Sequence, residues 1–77
     1  MTTHELLELT TGENLKKLAK EKENECDKFE AYAHLKILEK RLVQAEVIEK
    51  NIEIKSLLLA RYISVTEFIF NYIRKLC

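Results

Sequence analysis

Proline and tryptophan are absent from this chain of 77 residues, and glycine occurs once, at Gly12. Proline interrupts a helix and glycine weakens it, so a chain that almost lacks both has few positions at which a helix must end. Glutamate, lysine, leucine, isoleucine and alanine dominate the composition, which is typical of long helices. We therefore predict an all-α fold in one small domain that spans residues 1–77.

Residues suited to catalysis are also scarce. The chain has one aspartate, two histidines and two serines, and it has no glycine-rich loop that would hold a phosphate group. Its twelve glutamates lie among lysines at helical spacing, a pattern typical of a solvated helix surface. We predict that the protein is not an enzyme and binds no cofactor.

The candidate metal ligands are Cys26, Cys77, His4 and His34, and their spacing matches no zinc motif. Two cysteines are too few for a disulfide framework, and the polar, acidic N-terminus lacks the features of a signal peptide. The sequence therefore predicts no metal site and a cytoplasmic location.

The formal net charge is zero, which argues against general binding to nucleic acid or to anionic lipid. The two parts of the chain differ, because residues 1–53 have nine basic and twelve acidic side chains, whereas residues 54–77 have four basic side chains and one acidic. A tail of net charge +3 beside a remainder of −3 would attract a partner or a second copy.

Three features predict where helices begin and end. Thr2 precedes Glu5 by three residues, and Asp27 precedes Glu30 by three, which is the capping-box spacing at the start of a helix. Residues 10–12 form a break. The predicted helices are a short one at about residues 3–10 and three more at about 13–23, 28–50 and 53–76.

The last two predicted helices have nearly equal lengths and a short connection, as an αα-hairpin requires. Asn51 lies in that connection, and asparagine tolerates the left-handed conformation that a tight turn needs. We favour this hairpin over the alternative, one long helical rod. The predicted architecture is a short N-terminal helix followed by a long αα-hairpin that resembles a helical bundle or coiled coil.

Apolar residues repeat at alternating spacings of four and three from Ala31 onward, which is the spacing of a heptad. We predict that this first stripe pairs the helices within the chain, with Phe70 in the core. Eleven of its fourteen positions are apolar, and the positions are Ala31, Leu35, Leu38, Leu42, Ala45, Glu49, Ile52, Ser56, Leu59, Ile63, Thr66, Phe70, Ile73 and Cys77.

A second apolar stripe lies beside the first, and two adjacent stripes need more than one neighbouring helix. A hairpin gives its second helix only one neighbour, so we expect a partner protein or a second copy to cover the rest. The predicted interface residues are Val47, Ile54, Leu58, Tyr62, Val65, Ile69, Tyr72 and Leu76.

The stretch "LARYISVTEFIFNYI" looks like a helix-turn-helix at about residues 57–74, with its turn at Ile63, Ser64 and Val65. Helix-turn-helix proteins favour glycine at the turn position where this chain has Ser64. That resemblance implies a small DNA-binding transcriptional regulator, although its reading face would offer few of the Arg, Lys, Asn and Gln side chains that contact bases.

A membrane anchor is the third interpretation of the tail, since Leu57 to Ile73 is a mainly apolar run. Arg61 and Glu67 lie within it, and each would cost about 2.5–3.5 kcal/mol at the centre of a bilayer. The sequence therefore disfavours a membrane span.

The stretch "FEAYAHLKILEKRLVQAEVIEKN" is similar to the second helix of the small co-chaperones that hold needle subunits in bacterial secretion systems. The chain carries no diagnostic motif of that family, and residues 52–77 would be an additional element. Our leading hypothesis is a non-enzymatic helical adaptor, assembly factor, small chaperone or inhibitor that binds a protein or itself. The alternative is the DNA-binding regulator.

Overall fold

The computed structural model describes residues 2–76, except for the side chain of Leu76. Within that part of the chain there are four α-helices and no strands: α1 at Thr3–Leu9, α2 at Gly12–Glu25, α3 at Lys28–Ile48 and α4 at Ile52–Leu76. The predicted all-α fold is confirmed, and each helix begins and ends within two residues of its predicted bounds.

The first three helices each begin at a side chain that caps the backbone. Thr2 Oγ1 accepts a hydrogen bond from the N–H of Glu5 at 3.1 Å, Thr11 Oγ1 accepts one from Asn14 at 3.4 Å, and Asp27 Oδ1 accepts one from Glu30 at 2.8 Å. These oxygens satisfy N–H groups that have no partner inside the helix.

The break between α1 and α2 depends on threonine side chains. Thr10 is buried, and its hydroxyl donates to the carbonyl of Leu6 at 2.8 Å, while Thr11 caps α2. Gly12 has no positive φ, so its conformation does not cause the break.

Asn51 acts differently from the sequence prediction. No non-glycine residue between 2 and 76 has a positive φ, so the expected left-handed turn at Asn51 is wrong. Instead, Asn51 Oδ1 accepts hydrogen bonds from the N–H groups of Glu53 at 2.9 Å and Ile54 at 3.3 Å. Asn51 therefore caps the start of α4 with its side-chain oxygen, and this role does not require a left-handed backbone conformation.

Helix α3 is the centre of the fold, since α2 and α4 both pack on it much more extensively than on each other, and α1 contacts it as well. Its buried face consists of Ala31, Leu35, Leu38 and Leu42, so the predicted first stripe is confirmed for α3. The core cluster is wholly aliphatic; its members are Leu6, Leu15, Ala19, Leu35, Leu38, Leu42, Leu58, Val65 and Ile69.

Helices α3 and α4 pack on each other along much of their length and run in opposite directions. Close to the connection, Lys55 Nζ lies 3.8 Å from Glu46 Oε1. Further along, Thr66 Oγ1 donates to Glu39 Oε2 at 2.9 Å. As the contact moves forward on α4 it moves backward on α3, which is antiparallel packing.

Candidate interaction face on helices α3 and α4

The inner face of α4 consists largely of residues that the sequence assigned to an interface. Leu58 and Val65 are 0% exposed and Ile69 is 3% exposed, all within the core of this chain. Three further members, Ile54, Tyr62 and Tyr72, are partly buried and pack against that core.

The remaining two predicted interface residues are Val47 and Leu76. Val47, on α3, is 65% exposed. Leu76 is the last residue of α4, and its side chain is outside the described part of the chain, as is the whole of Cys77. Contact between any of these eight residues and a partner stays a prediction.

The α4 members of the first stripe were predicted to pack within the chain; Ile73 does pack against the core, but for the other apolar members that the structure describes the prediction is wrong. Leu59 is 48% exposed, Ile63 is 56% exposed and Phe70 is 62% exposed. The cause is the non-helical connection at residues 49–51, because a repeat counted in helical turns loses its phase where the chain leaves the helix. On α4 the residue that faces the core is therefore the one that precedes the predicted core residue, as Leu58 precedes Leu59.

The result is an exposed apolar surface, which we call the outer face. On α4 it comprises Ile52, Leu59, Ile63 and Phe70, and on α3 it is flanked by Val43 and Val47. Val43 lies one helical turn from both Glu39 and Glu46, the residues that contact α4 on this side. The two groups of apolar side chains therefore adjoin across the α3–α4 contact.

Glu39 links the two helices at the edge of the outer face. Its Oε1 accepts a hydrogen bond from Lys36 Nζ at 2.6 Å, and its Oε2 accepts one from Thr66 at 2.9 Å. The hydrogen bond that Lys36 donates to Glu39 is the main reason that the pKa of Lys36 is raised above its usual value. Both carboxylate oxygens are thus satisfied within the chain, and the carboxylate fixes where α4 lies on α3.

Tyr72 fixes the far end of α4 by a second polar contact. Its hydroxyl donates a hydrogen bond to Glu23 on α2. Desolvation of the partly buried phenol, followed by the hydrogen bond and the negative charge of Glu23, raises the pKa of Tyr72 to about 12. This contact holds the inner face of α4 toward the rest of the fold, so the outer face points away from it.

Charged residues line the edge of the outer face that is remote from α3. Glu53, Glu67 and Arg74 are exposed, and no ion pair or side-chain hydrogen bond is found for them within residues 2–76. A shallow depression on this surface is lined by Thr66, Glu67, Phe70, Asn71 and Arg74. These charges are available to a binding partner.

The turn that the helix-turn-helix resemblance requires is not formed. Helix α4 runs without interruption from Ile52 to Leu76, and Ile63, Ser64 and Val65 are all helical. Val65 is fully buried against the core, so a break there would remove a central packing residue.

Of the candidate metal ligands, Cys77 lies outside the described residues, and the others form no metal-binding cluster. His34 Nε2 is 3.3 Å from Glu30 Oε1, one turn away on the same helix, and Cys26 is exposed at the end of α2. Among residues 2–76 no group of three or more His, Cys, Asp and Glu side chains is placed to hold a metal ion.

A shallow groove between α1, α2 and α3 is the other apolar concavity of note. Leu9, Leu18 and Ile37 line it, with Asn14 and Arg41 among the polar residues. The Asn14 amide is already used, because it donates to the carbonyl of Glu8 at 2.7 Å. Of its apolar lining residues, Leu9 is 43% exposed and Ile37 is 48% exposed, whereas Leu18 is partly buried, so the groove offers less exposed apolar surface than the outer face.

Nowhere in the described residues is a helix both long enough and apolar enough to cross a bilayer. Comparison of the chain with protein-family models, with curated proteins and with solved structures gives no significant match. The similarity to needle-subunit co-chaperones consequently rests on residues 29–51 of the sequence alone.

Proposed function

We propose that this protein is a non-enzymatic helical interaction module, an adaptor or assembly factor that binds a protein through the outer face. The observation that supports the proposal is the concentration of Ile52, Leu59, Ile63 and Phe70 on the exposed side of α4. Val43 and Val47 extend this surface onto α3.

The size of the outer face supports the proposal. A fully exposed Val, Leu, Ile or Phe residue offers about 200 Å², so these six residues together expose on the order of 600–700 Å². The largest apolar patch on a typical monomer is about 300–600 Å² and is itself often functional. A face of this size favours contact with another protein.

Its composition favours the same conclusion. Phe70 gives a large, stiff apolar side chain near the end of the face, and charged residues of both signs surround it. An apolar centre with a polar rim is the usual anatomy of a protein–protein interface. The antiparallel pairing of α3 and α4, the hairpin of our hypothesis, would present this face as one rigid surface.

The test compares two neighbouring substitutions on α4. Ile63→Glu places a charge in the outer face, whereas Ser64→Glu places the same side chain on an adjacent exposed position outside it. We expect wild type and Ser64→Glu to form a complex, with themselves or with another protein, and Ile63→Glu to lose it. Sedimentation velocity measures self-association, and affinity capture from the source cells measures binding to other proteins.

Circular dichroism of both variants establishes that the helices are retained. Equal binding by wild type and Ile63→Glu would contradict the proposal. So would a wild-type chain that forms no complex in either measurement.

A further inference from the structure

The arrangement of charges beside the outer face identifies an occupant for it. We infer that a second copy of this chain binds there, with its α4 antiparallel to the first. The inference rests on the proposed function and names the partner. Three properties of α4 carry it: the spacing of its exposed apolar residues, the charges along one edge, and the area on offer.

The exposed apolar residues of α4 follow a heptad repeat. Leu59 lies seven residues after Ile52, Phe70 lies seven after Ile63, and Ile63 lies four after Leu59. This is the alternation by which one helix packs along another over several turns. Side chains scattered singly over a surface would not keep this spacing.

The edge remote from α3 carries one residue per heptad: Glu53, Ala60, Glu67 and Arg74. The opposite edge is occupied by the contacts of Lys55 and Thr66 with α3. Only the first edge is therefore available to pair with a second copy. In an antiparallel pair each such edge faces the same edge of the other helix.

One register pairs opposite charges. When Leu59 faces Phe70 of the second copy, Glu53 faces Arg74 of the second copy, and the two-fold symmetry repeats both contacts. In this register Ala60 faces Glu67 of the second copy, so no like charges meet along the edge.

The neighbouring registers are less favourable. A shift by one heptad in one direction brings Glu67 of one copy opposite Glu67 of the other. A shift by one heptad in the other direction brings Glu53 of each copy opposite Glu67 of the other. A shift by two heptads leaves less than half of α4 in contact. Like charges at facing positions are repulsive, so the edge selects the register with the longest overlap of the two α4 helices.

The area is sufficient for a specific dimer. Ile52, Leu59, Ile63 and Phe70 expose on the order of 500 Å² per copy, and the rim residues bring this close to the ~800 Å² per partner of a standard interface. Two α3–α4 pairs would then meet through α4 as a four-helix arrangement.

The experiment is a charge swap, measured by sedimentation equilibrium of the full-length chain at low ionic strength under reducing conditions. Glu53→Arg places Arg opposite Arg at both ends of the dimer, and Arg74→Glu places Glu opposite Glu. We expect each single variant to self-associate about tenfold more weakly than wild type.

Two restoring samples test the pairing. An equimolar mixture of Glu53→Arg and Arg74→Glu chains has opposite charges at both ends, so we expect it to associate as tightly as wild type. The double variant Glu53→Arg/Arg74→Glu should do the same as a homodimer. Circular dichroism of each variant shows that α4 is retained, which excludes simple unfolding as the cause of weaker association.

The outcomes separate this inference from the proposed function. A wild-type dimer that is indifferent to both swaps overturns the antiparallel register but supports an interaction module. A monomeric wild type that still captures another protein through Ile63 overturns the second copy as occupant and leaves the proposed function standing. A chain that does neither overturns both.

Discussion

The phenolic hydroxyl of Tyr72, near the end of α4, donates a hydrogen bond to the carboxylate of Glu23 on α2. The two residues are 49 positions apart in sequence, and the bond joins the last helix to the second. It also orients α4, because Tyr72 lies on the inner face together with Leu58, Val65 and Ile69.

Removal of the Tyr72 hydroxyl tests this bond. We expect Tyr72→Phe to lower the free energy of unfolding by about 1 kcal/mol, since the ring still packs but Glu23 loses its donor. Tyr32→Phe is the matched control, because Tyr32 is also partly buried but its hydroxyl has no hydrogen bond within residues 2–76. Urea unfolding followed by circular dichroism measures both. An equal effect of the two substitutions would contradict the bond's role.

The same bond predicts a pH dependence. Folding raises the pKa of Tyr72 from its usual 10.0 to about 12, so the folded state stabilises the protonated phenol. The contribution is fully present below about pH 10 and is lost as the pH rises through the window to about 12. We expect the stability difference between wild type and Tyr72→Phe to be constant below this window and to decrease within it. A difference that stays constant through the window would show that the phenol is not perturbed.

The orientation of α4 predicts opposite results at two adjacent leucines. Leu58 is fully buried, whereas Leu57 is 57% exposed and lies outside the outer face. We expect Leu58→Ala to lower the free energy of unfolding by about 2–5 kcal/mol and Leu57→Ala to change it by about 0.5 kcal/mol or less. Thermal or urea unfolding at a fixed protein concentration measures both. Similar losses at the two positions would show that α4 is rotated from the orientation described.

Ser64 distinguishes a continuous α4 from a helix-turn-helix. Inside a helix alanine is more favourable than glycine by about 1 kcal/mol, whereas at a helix start glycine is tolerated and alanine costs about 1 kcal/mol. Because Ser64 lies within α4, we expect Ser64→Gly to be less stable than Ser64→Ala. The reverse order in urea unfolding would indicate a turn at this position. Both substitutions remove the same hydroxyl, so their comparison isolates the backbone effect.

Asn51 gives a test of the cap on α4. We expect Asn51→Ala to lower the free energy of unfolding by about 0.5–2 kcal/mol, because the N–H groups of Glu53 and Ile54 lose their acceptor. Asn51→Asp keeps an oxygen in the same place, and its charge suits the N-terminal end of a helix, so it should retain full stability. Loss of stability in both variants would mean that the amide nitrogen has a role of its own.

The sequence predicted the caps at Thr2 and Asp27 and the buried face of α3, because the causes of these features are local. Thr2 and Asp27 each lie three residues before the N–H group that they accept from, so a motif search finds both caps. The buried face of α3 from Ala31 to Leu42 follows one uninterrupted periodicity, which is also visible in sequence.

The same reasoning did not predict which face of α4 packs against the rest of the fold. Three non-helical residues separate α3 from α4, and their dihedral angles decide which face of α4 turns inward. Both candidate faces are apolar, with Leu58 on one and Leu59 on the other, so hydrophobicity does not choose between them. The choice depends on contacts across long sequence distances, such as Tyr72 with Glu23 and Thr66 with Glu39.

Four helices that each carry their own start signal have a consequence for how the chain folds. Thr2, Thr11, Asp27 and Asn51 all act on N–H groups within three residues, so each helix boundary forms without help from distant contacts. Local contacts of this kind close quickly, and helical domains rich in them fold on the microsecond to millisecond scale. If tertiary packing is loosened, the four caps still favour the same helix starts, so refolding does not depend on distant contacts to choose them.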